Sequence, residues 1–117
     1  MFNTKRVICV EFFQKNDEIF INEIALRVHN SYHISLDCCN ISQFELHLRS
    51  ILNLEIPKLN FVKNGYMYNM ISNLQTENDI LTIYEEMKEK YDIKVKKYNK
   101  KPVGVRKIGH INFIEKF

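Results

Sequence analysis

At 117 residues the chain holds one domain's worth of sequence at most. Its composition, 45% apolar and 26% charged, is globular and excludes a largely disordered chain, and no apolar run reaches the roughly eighteen residues of a spanning helix. A net charge of +3 suits an anion-binding protein without demanding nucleic acid.

The first six residues, Met1–Arg6, lead into an apolar run that soon meets Glu11, too short and too polar for a signal peptide. This reads as a cytoplasmic protein. The cysteines agree: Cys38 and Cys39 are adjacent, which disfavours a mutual disulfide, and no CxxC spacing occurs.

Residues 7–13 and 19–25 read as two strands rich in Val, Ile and Phe, joined by a charged loop over 14–18. The near-continuous apolar character of the first predicts burial on both faces. Glu11 and Glu23 come side by side when the strands pair. Residues 26–39 show loop chemistry and no helical period. Ser42-Gln-Phe-Glu45 has the capping-box pattern, and Phe44, Leu48, Ile51 and Leu52 then share one face at helical spacing, with Asn53 as the stop. Pro57 marks a boundary, and Asn64-Gly65 is a turn dipeptide. A strand over 65–72 follows. A helix from Thr76 carries the stripe Ile80, Ile83, Tyr84 and Met87, and strands follow at 93–96 and 108–114. The composition implies an α+β fold, with a strand–helix–strand unit behind Pro57.

Paired carboxylates followed by Arg27, His29 and Asn30 have the chemistry of a magnesium–nucleotide site: hard cations take oxygen ligands, and arginine grips anions with a planar fork. Spacing alone equally accommodates two solvent-facing strand glutamates and a hydrogen-bonded loop histidine. His29 and His33, with Cys38 and Cys39 beyond, lack the further ligand pair that a zinc site needs. His47 reads as a packing or helix-surface residue. Basic residues crowd the last quarter. Lys94, Lys96, Lys97 and Lys101 read as a solvated face, and no nucleic-acid motif accompanies Tyr91 and Tyr98.

Four segments carry a resemblance. They are Val10-Glu-Phe-Phe13, then Asn22-Glu-Ile-Ala-Leu-Arg-Val-His-Asn-Ser-Tyr-His-Ile-Ser35 with Ser42-Gln-Phe-Glu-Leu-His-Leu-Arg-Ser-Ile-Leu52, and Tyr98 through Asn112 ending Gly109-His-Ile-Asn112. In order and over almost the whole chain they resemble the C-terminal third of 5-(carboxyamino)imidazole ribonucleotide synthetase, an ATP-grasp ligase of purine synthesis. The resemblance implies that residues 1–56 are the C-terminal piece of an ATP-grasp module, antiparallel strands plus a helix, and that 57–117 are a small C-terminal lobe.

It also implies roles. Glu11 and Glu23 would hold Mg²⁺ against the phosphates of ATP, with Asn22 in support. Arg27 would clamp bicarbonate or carboxyphosphate, His29 would hydrogen-bond or shuttle a proton, and Asn30 would orient substrate. Lys100, Arg106 and Lys107 would reach the phosphate of aminoimidazole ribonucleotide.

The implied partners are that small molecule and an N-terminal ATP-grasp portion, upstream or on another chain, without which the chain is expected to be inactive. A homodimer fits as well; nucleic acid and membrane do not. A second expectation is a non-catalytic interaction module with an exposed apolar patch. Three departures stand out: Tyr32 replaces the family's glycine, which predicts an altered loop; Leu26 replaces its proline; and Val103-Gly-Val105 replaces Arg-Pro-Gly, which predicts weaker hold on the substrate phosphate.

Overall fold

The computed structural model describes residues 6–117, and Met1–Lys5 lie outside the described residues. The chain forms two units, Met1–Phe61 and Val62–Phe117.

The first unit opens with a hairpin of β1 (Cys9–Lys15) and β2 (Glu18–Ala25), antiparallel. The charged loop expected over 14–18 contracts to a two-residue turn, because Lys15 still pairs with Glu18 and Asn16 takes the left-handed conformation (φ 55°). Asparagine tolerates that region better than most residues. The expected burial of β1 on both faces is overturned. Among the described residues the sheet has these two strands alone, and Phe12, Phe13, Ile19, Phe20 and Ile21 are all exposed.

Residues 26–39 contain more order than their lack of period suggests: a 3-10 turn at Asn30–Tyr32 and a single helical turn, α1 (Ser35–Cys38). Helix α2 (Gln43–Ile51) starts as expected, the Ser42 Oγ accepting the Glu45 N–H at 3.2 Å. The capping box stays half-formed, since the Glu45 carboxylate pairs with Arg49 instead, at 2.8 Å. The helix stops at Asn53 (φ 55°), and the Leu54 N–H reaches back to the Arg49 carbonyl at 2.9 Å, the closing bond of a Schellman end. Its apolar stripe faces outward: Phe44, Leu48, Ile51 and Leu52 are exposed, and Gln43 and Ser50 are buried. The stretch after Pro57 remains with this unit through Asn40, whose Nδ2 donates to the Lys58 carbonyl at 3.0 Å and whose Oδ1 accepts the Asn60 N–H at 2.9 Å.

The second unit is a three-stranded antiparallel sheet in the order β3 (Gly65–Ile71), β5 (Lys107–Glu115), β4 (Tyr91–Lys97), with α3 (Glu77–Met87) between β3 and β4 in sequence. Gly65 opens β3 and pairs with Ile114, so Asn64-Gly65 makes no hairpin turn. Thr76 caps α3 with a complete capping box: its hydroxyl accepts the Asp79 N–H, and the Asp79 carboxylate accepts the Thr76 N–H. Three of the four stripe residues, Ile80, Ile83 and Met87, pack on the core of Met70, Ile111 and Phe113, whereas Tyr84 is exposed. Gly109 lies where β5 touches its neighbours most closely; a Cβ there would sit 2.4 Å from the Lys96 carbonyl oxygen and 2.6 Å from the Met70 methyl.

Candidate active site at the hairpin

Glu11 and Glu23 are direct partners across the hairpin, so their side chains leave the same face. Pairing resumes at Phe12 with Ile21, which leaves Asn22 as an extra residue in β2. A bulge of this kind breaks the strict alternation of a strand and re-aims side chains. That explains how Asn22, adjacent to Glu23, also reaches Glu11: its Nδ2 donates to the Glu11 Oε1. Three oxygen-bearing side chains meet at one place on the hairpin.

His29 enters between the carboxylates. Its Nδ1 lies 3.4 Å from the Glu11 Oε2 and its Nε2 lies 3.5 Å from the Glu23 Oε2, and its ring is only 11% exposed. The ring also caps the 3-10 turn, Nδ1 accepting the Ser31 N–H at 3.3 Å, with the Ser31 Oγ at 2.8 Å. A ring nitrogen that accepts a backbone N–H carries no proton, so the neutral ring is protonated at Nε2, facing Glu23. Arg27 closes the far side: its guanidinium reaches the Glu23 Oε1 at 3.5 Å and the Val28 carbonyl at 3.0 Å, and remains mostly exposed. Three of the four glutamate oxygens thus face a donor or a cation, and the fourth, the Glu11 Oε2, faces the His29 Nδ1. Asn30 sits in the 3-10 turn, its carbonyl accepting the His33 N–H at 3.3 Å.

The donor set fits a magnesium ion. Two carboxylates and an amide oxygen are hard ligands, and Mg²⁺ is ordinarily held by one or two carboxylates together with substrate phosphates. Among the described residues no group of three or more His, Cys, Asp or Glu forms a self-sufficient metal cage.

Gln43, read from the sequence only as part of a cap, is the residue whose local importance was missed. It is 1% exposed. Its Oε1 accepts the His29 N–H at 2.8 Å, its Nε2 donates to the His29 carbonyl at 2.9 Å and contacts the His33 Nδ1 at 2.9 Å, and its own N–H donates to the Ser35 Oγ at 3.0 Å. Ser35 passes the chain on to the Tyr32 carbonyl at 2.7 Å. The signal lay in position: a glutamine directly after an N-cap serine, on the side of α2 away from the apolar stripe.

Tyr32 occupies the loop without backbone strain. Among the described non-glycine residues, positive φ occurs at Asn16, Asn53 and Asn73, not at Tyr32. Its ring meets Phe61 edge-on at 6.2 Å and its hydroxyl lies 3.6 Å from the Cys39 Sγ. Burial, followed by the Cys39 hydrogen bond, pushes the phenol up to about 12. Burial, then the Glu11 charge, also raises the Cys9 thiol. Cys9, Cys38 and Cys39 form no disulfide among the described residues.

The second basic group lies in the other unit. The Tyr98 N–H donates to the Ile108 carbonyl at 2.7 Å, so Lys100 and the pair Arg106 and Lys107 stand at opposite ends of one loop. Lys100 lies over the Tyr98 ring at 5.4 Å. The loop is pinned by Ser72, whose Oγ donates to the Gly104 carbonyl at 2.6 Å and accepts the Arg106 N–H at 3.1 Å. Gly104 is left-handed there (φ 67°), which glycine adopts without cost. Inside the sheet, the Tyr98 hydroxyl meets the Nδ1 of buried His110 at 2.7 Å.

Two families match this chain. The ATP-grasp domain matches residues 2–44, and the phosphoribosylaminoimidazole carboxylase C-terminal domain matches residues 65–117. Phosphoribosylaminoimidazole carboxylase of Saccharomyces cerevisiae is 41% identical over 109 residues, covering 88% of this chain and 19% of the yeast protein. N5-carboxyaminoimidazole ribonucleotide synthase of Bacillus subtilis is 34% identical, covering 92% of this chain and 28% of that protein. Among solved structures, N5-carboxyaminoimidazole synthase of Aspergillus clavatus in complex with ADP and 5-aminoimidazole ribonucleotide is 34% identical with a TM-score of 0.73, covering 93% of this chain and 30% of that one. The Thermus thermophilus synthetase gives 33% and a TM-score of 0.72, covering 94% and 29%. The chain therefore spans less than a third of the length of these relatives.

Proposed function

We propose, on the premise that this chain belongs to the N5-carboxyaminoimidazole ribonucleotide synthase family, that it supplies part of the active site of an ATP- and bicarbonate-dependent ligase that carboxylates 5-aminoimidazole ribonucleotide. The observation that carries the proposal is the convergence of Glu11, Asn22, Glu23 and His29 on one face of the hairpin through the bulge at Asn22. Glu11 and Glu23 are the residues to hold Mg²⁺, with Asn22 orienting Glu11. Bound there, the ion would neutralise phosphate charge and fix the γ-phosphoryl group.

The chain's own residues account for the rest of the chemistry. A bicarbonate oxygen attacks the γ-phosphorus, the bond to ADP breaks, and carboxyphosphate results. The amine of the ribonucleotide then takes the carboxyl group, phosphate leaves, and the amine gives up a proton. Exposed Arg27 is placed to grip the anionic bicarbonate and carboxyphosphate. His29, protonated at the nitrogen facing Glu23, is placed to hold or move a proton, and Asn30 on the same turn orients the substrate. Lys100, Arg106 and Lys107 bind the ribonucleotide phosphate. The loop replacement Val103-Gly104-Val105 removes one cation from that group.

The adenine-binding remainder of an ATP-grasp module is the partner this reading requires. The exposed Phe12, Phe13, Ile19 and Ile21 of the hairpin are its expected contact. The same exposure favours a second reading, a non-catalytic module that associates through this surface.

The decisive experiment combines the 117-residue chain with the Bacillus subtilis relative truncated to lack the matched segment. ATP consumption dependent on bicarbonate and ribonucleotide is the expected result, lost about a hundredfold or more in Glu11→Gln and Glu23→Gln. Stable association without turnover, unchanged by either substitution, selects the second reading.

A further inference from the structure

Gln43 touches none of the groups assigned to substrate, yet its side chain is spent entirely on the loop that bears His29. Its amide orientation is fixed by chemistry. The His29 N–H can only donate and the His29 carbonyl can only accept, so the Gln43 Oε1 faces the first and the Nε2 faces the second. The Nε2 group has one hydrogen left, and it points at the His33 Nδ1, 2.9 Å away. An amide nitrogen cannot accept, so the His33 Nδ1 must. The His33 ring, stacked on Phe44 at 5.4 Å, is therefore protonated at Nε2.

We propose that Gln43 is a positioning residue of this site: it clamps the His29 backbone from both sides, keeps the imidazole between Glu11 and Glu23, and donates its second amide hydrogen to a fixed tautomer of His33. The inference rests on the proposed reading of Glu11 and Glu23 as the cation site. The physical argument is that a buried amide has no water to fall back on. With the Gln43 side chain nearly inaccessible, every bond it makes to residues 29 and 33 is lost outright when it is replaced. The loop 26–34 has no regular structure beyond one 3-10 turn to hold it otherwise. Groups that orient a metal site from behind typically change metal affinity by about 10–100-fold when removed.

The test uses the full chain, uniformly labelled with nitrogen-15, and Mn²⁺ as the probe ion. Long-range imidazole spectra of the unsubstituted chain are expected to show His33 protonated at Nε2 with a hydrogen-bonded Nδ1; a ring protonated at Nδ1 overturns the clamp without any variant. Gln43→Glu keeps the acceptor and the shape but removes both donors, and Gln43→Met removes all polarity at similar volume. Either is expected to shift the His29 ring signals and to weaken Mn²⁺ line broadening at residues 9–29 about tenfold. Amides of 62–117 serve as the reference for intact protein. His29 signals and Mn²⁺ response unchanged in both variants overturn the proposal. Glu11→Gln separates the two levels: if it leaves the Mn²⁺ response intact, the cation-site reading fails, whatever Gln43 does.

Discussion

In the second unit the buried apolar side chains are Met70, Ile111, Phe113 and Ile114, beside buried Ser72, His110 and Asn112, and an amphipathic helix with a complete cap packs on Met70, Ile111 and Phe113. Among the described residues of the first unit, the buried polar side chains Ser35, Gln43 and Ser50 are joined by the apolar Ala25, Cys38 and Ile41, of which none is aromatic. The large apolar side chains of the first unit lie on its outside, along both hairpin strands and along α2. The difference teaches what each half is for. An apolar core is non-directional and tolerant, and it makes a lobe that stands by packing. A buried hydrogen-bond network is directional, and it fixes where particular atoms lie. The network centred on Gln43 lies in the half that carries the carboxylates.

The largest expected effect belongs to the packed half. Phe113→Ala should cost about 3–5 kcal/mol, read by chemical denaturation followed through amides of 62–117. A cost under about 1 kcal/mol would mean that the sheet and α3 are not the stabilising contact. Gly109→Ala comes next, at about 1–3 kcal/mol, because one of the two clashes is with a backbone oxygen that cannot swing away. On the first unit's outer surface the expectation inverts: Leu48→Ala and Ile51→Ala should each stay within about 0.5 kcal/mol, while reducing association of the chain at high concentration.

The smallest effects are ionic and differ in sign between the halves. The Tyr32 phenol is raised, so the folded chain holds that proton more tightly than the unfolded one. Its contribution is complete below pH 10 and is lost as pH rises toward 12. An ultraviolet titration should show a late-ionising tyrosine that disappears in Tyr32→Phe. Asp79 is lowered, first by the Thr76 backbone N–H and then by its hydroxyl. The α3 cap is therefore present above the ordinary carboxylate range and fades as pH falls through the lowered value. Thr76→Ala should lessen that acid dependence without abolishing it, because the backbone N–H remains, and Asp79→Asn should abolish it.

How far the amino-acid sequence foretold this depends on which half is considered. The stripe of α3, its cap at Thr76 and the three strands of the second unit follow from period and capping, because local pattern and tertiary burial agree there. In the first unit they part company. Period correctly placed a stripe on α2, but period does not say which way a stripe faces, and here the polar side is inward. The apolar run of β1 suggested two covered faces, whereas the strand has a single neighbour. Glu11 and Glu23 were legible as a pair from strand spacing. Asn22 joins them only because of a bulge that no composition signal announces. Gln43 stayed hidden because its role is set by three residues fourteen to eight positions away, and its neighbour Ser42 already explained the motif.

The central claim is that the hairpin cluster is a cation site built from Glu11, Asn22 and Glu23. The direct test is a Mn²⁺ titration of the chain in the presence of ADP, followed by line broadening of its amide signals. The account predicts broadening centred on residues 10–12 and 22–24, abolished in the Glu11→Gln, Glu23→Gln double variant. Broadening centred elsewhere, or unchanged in that variant, would contradict it.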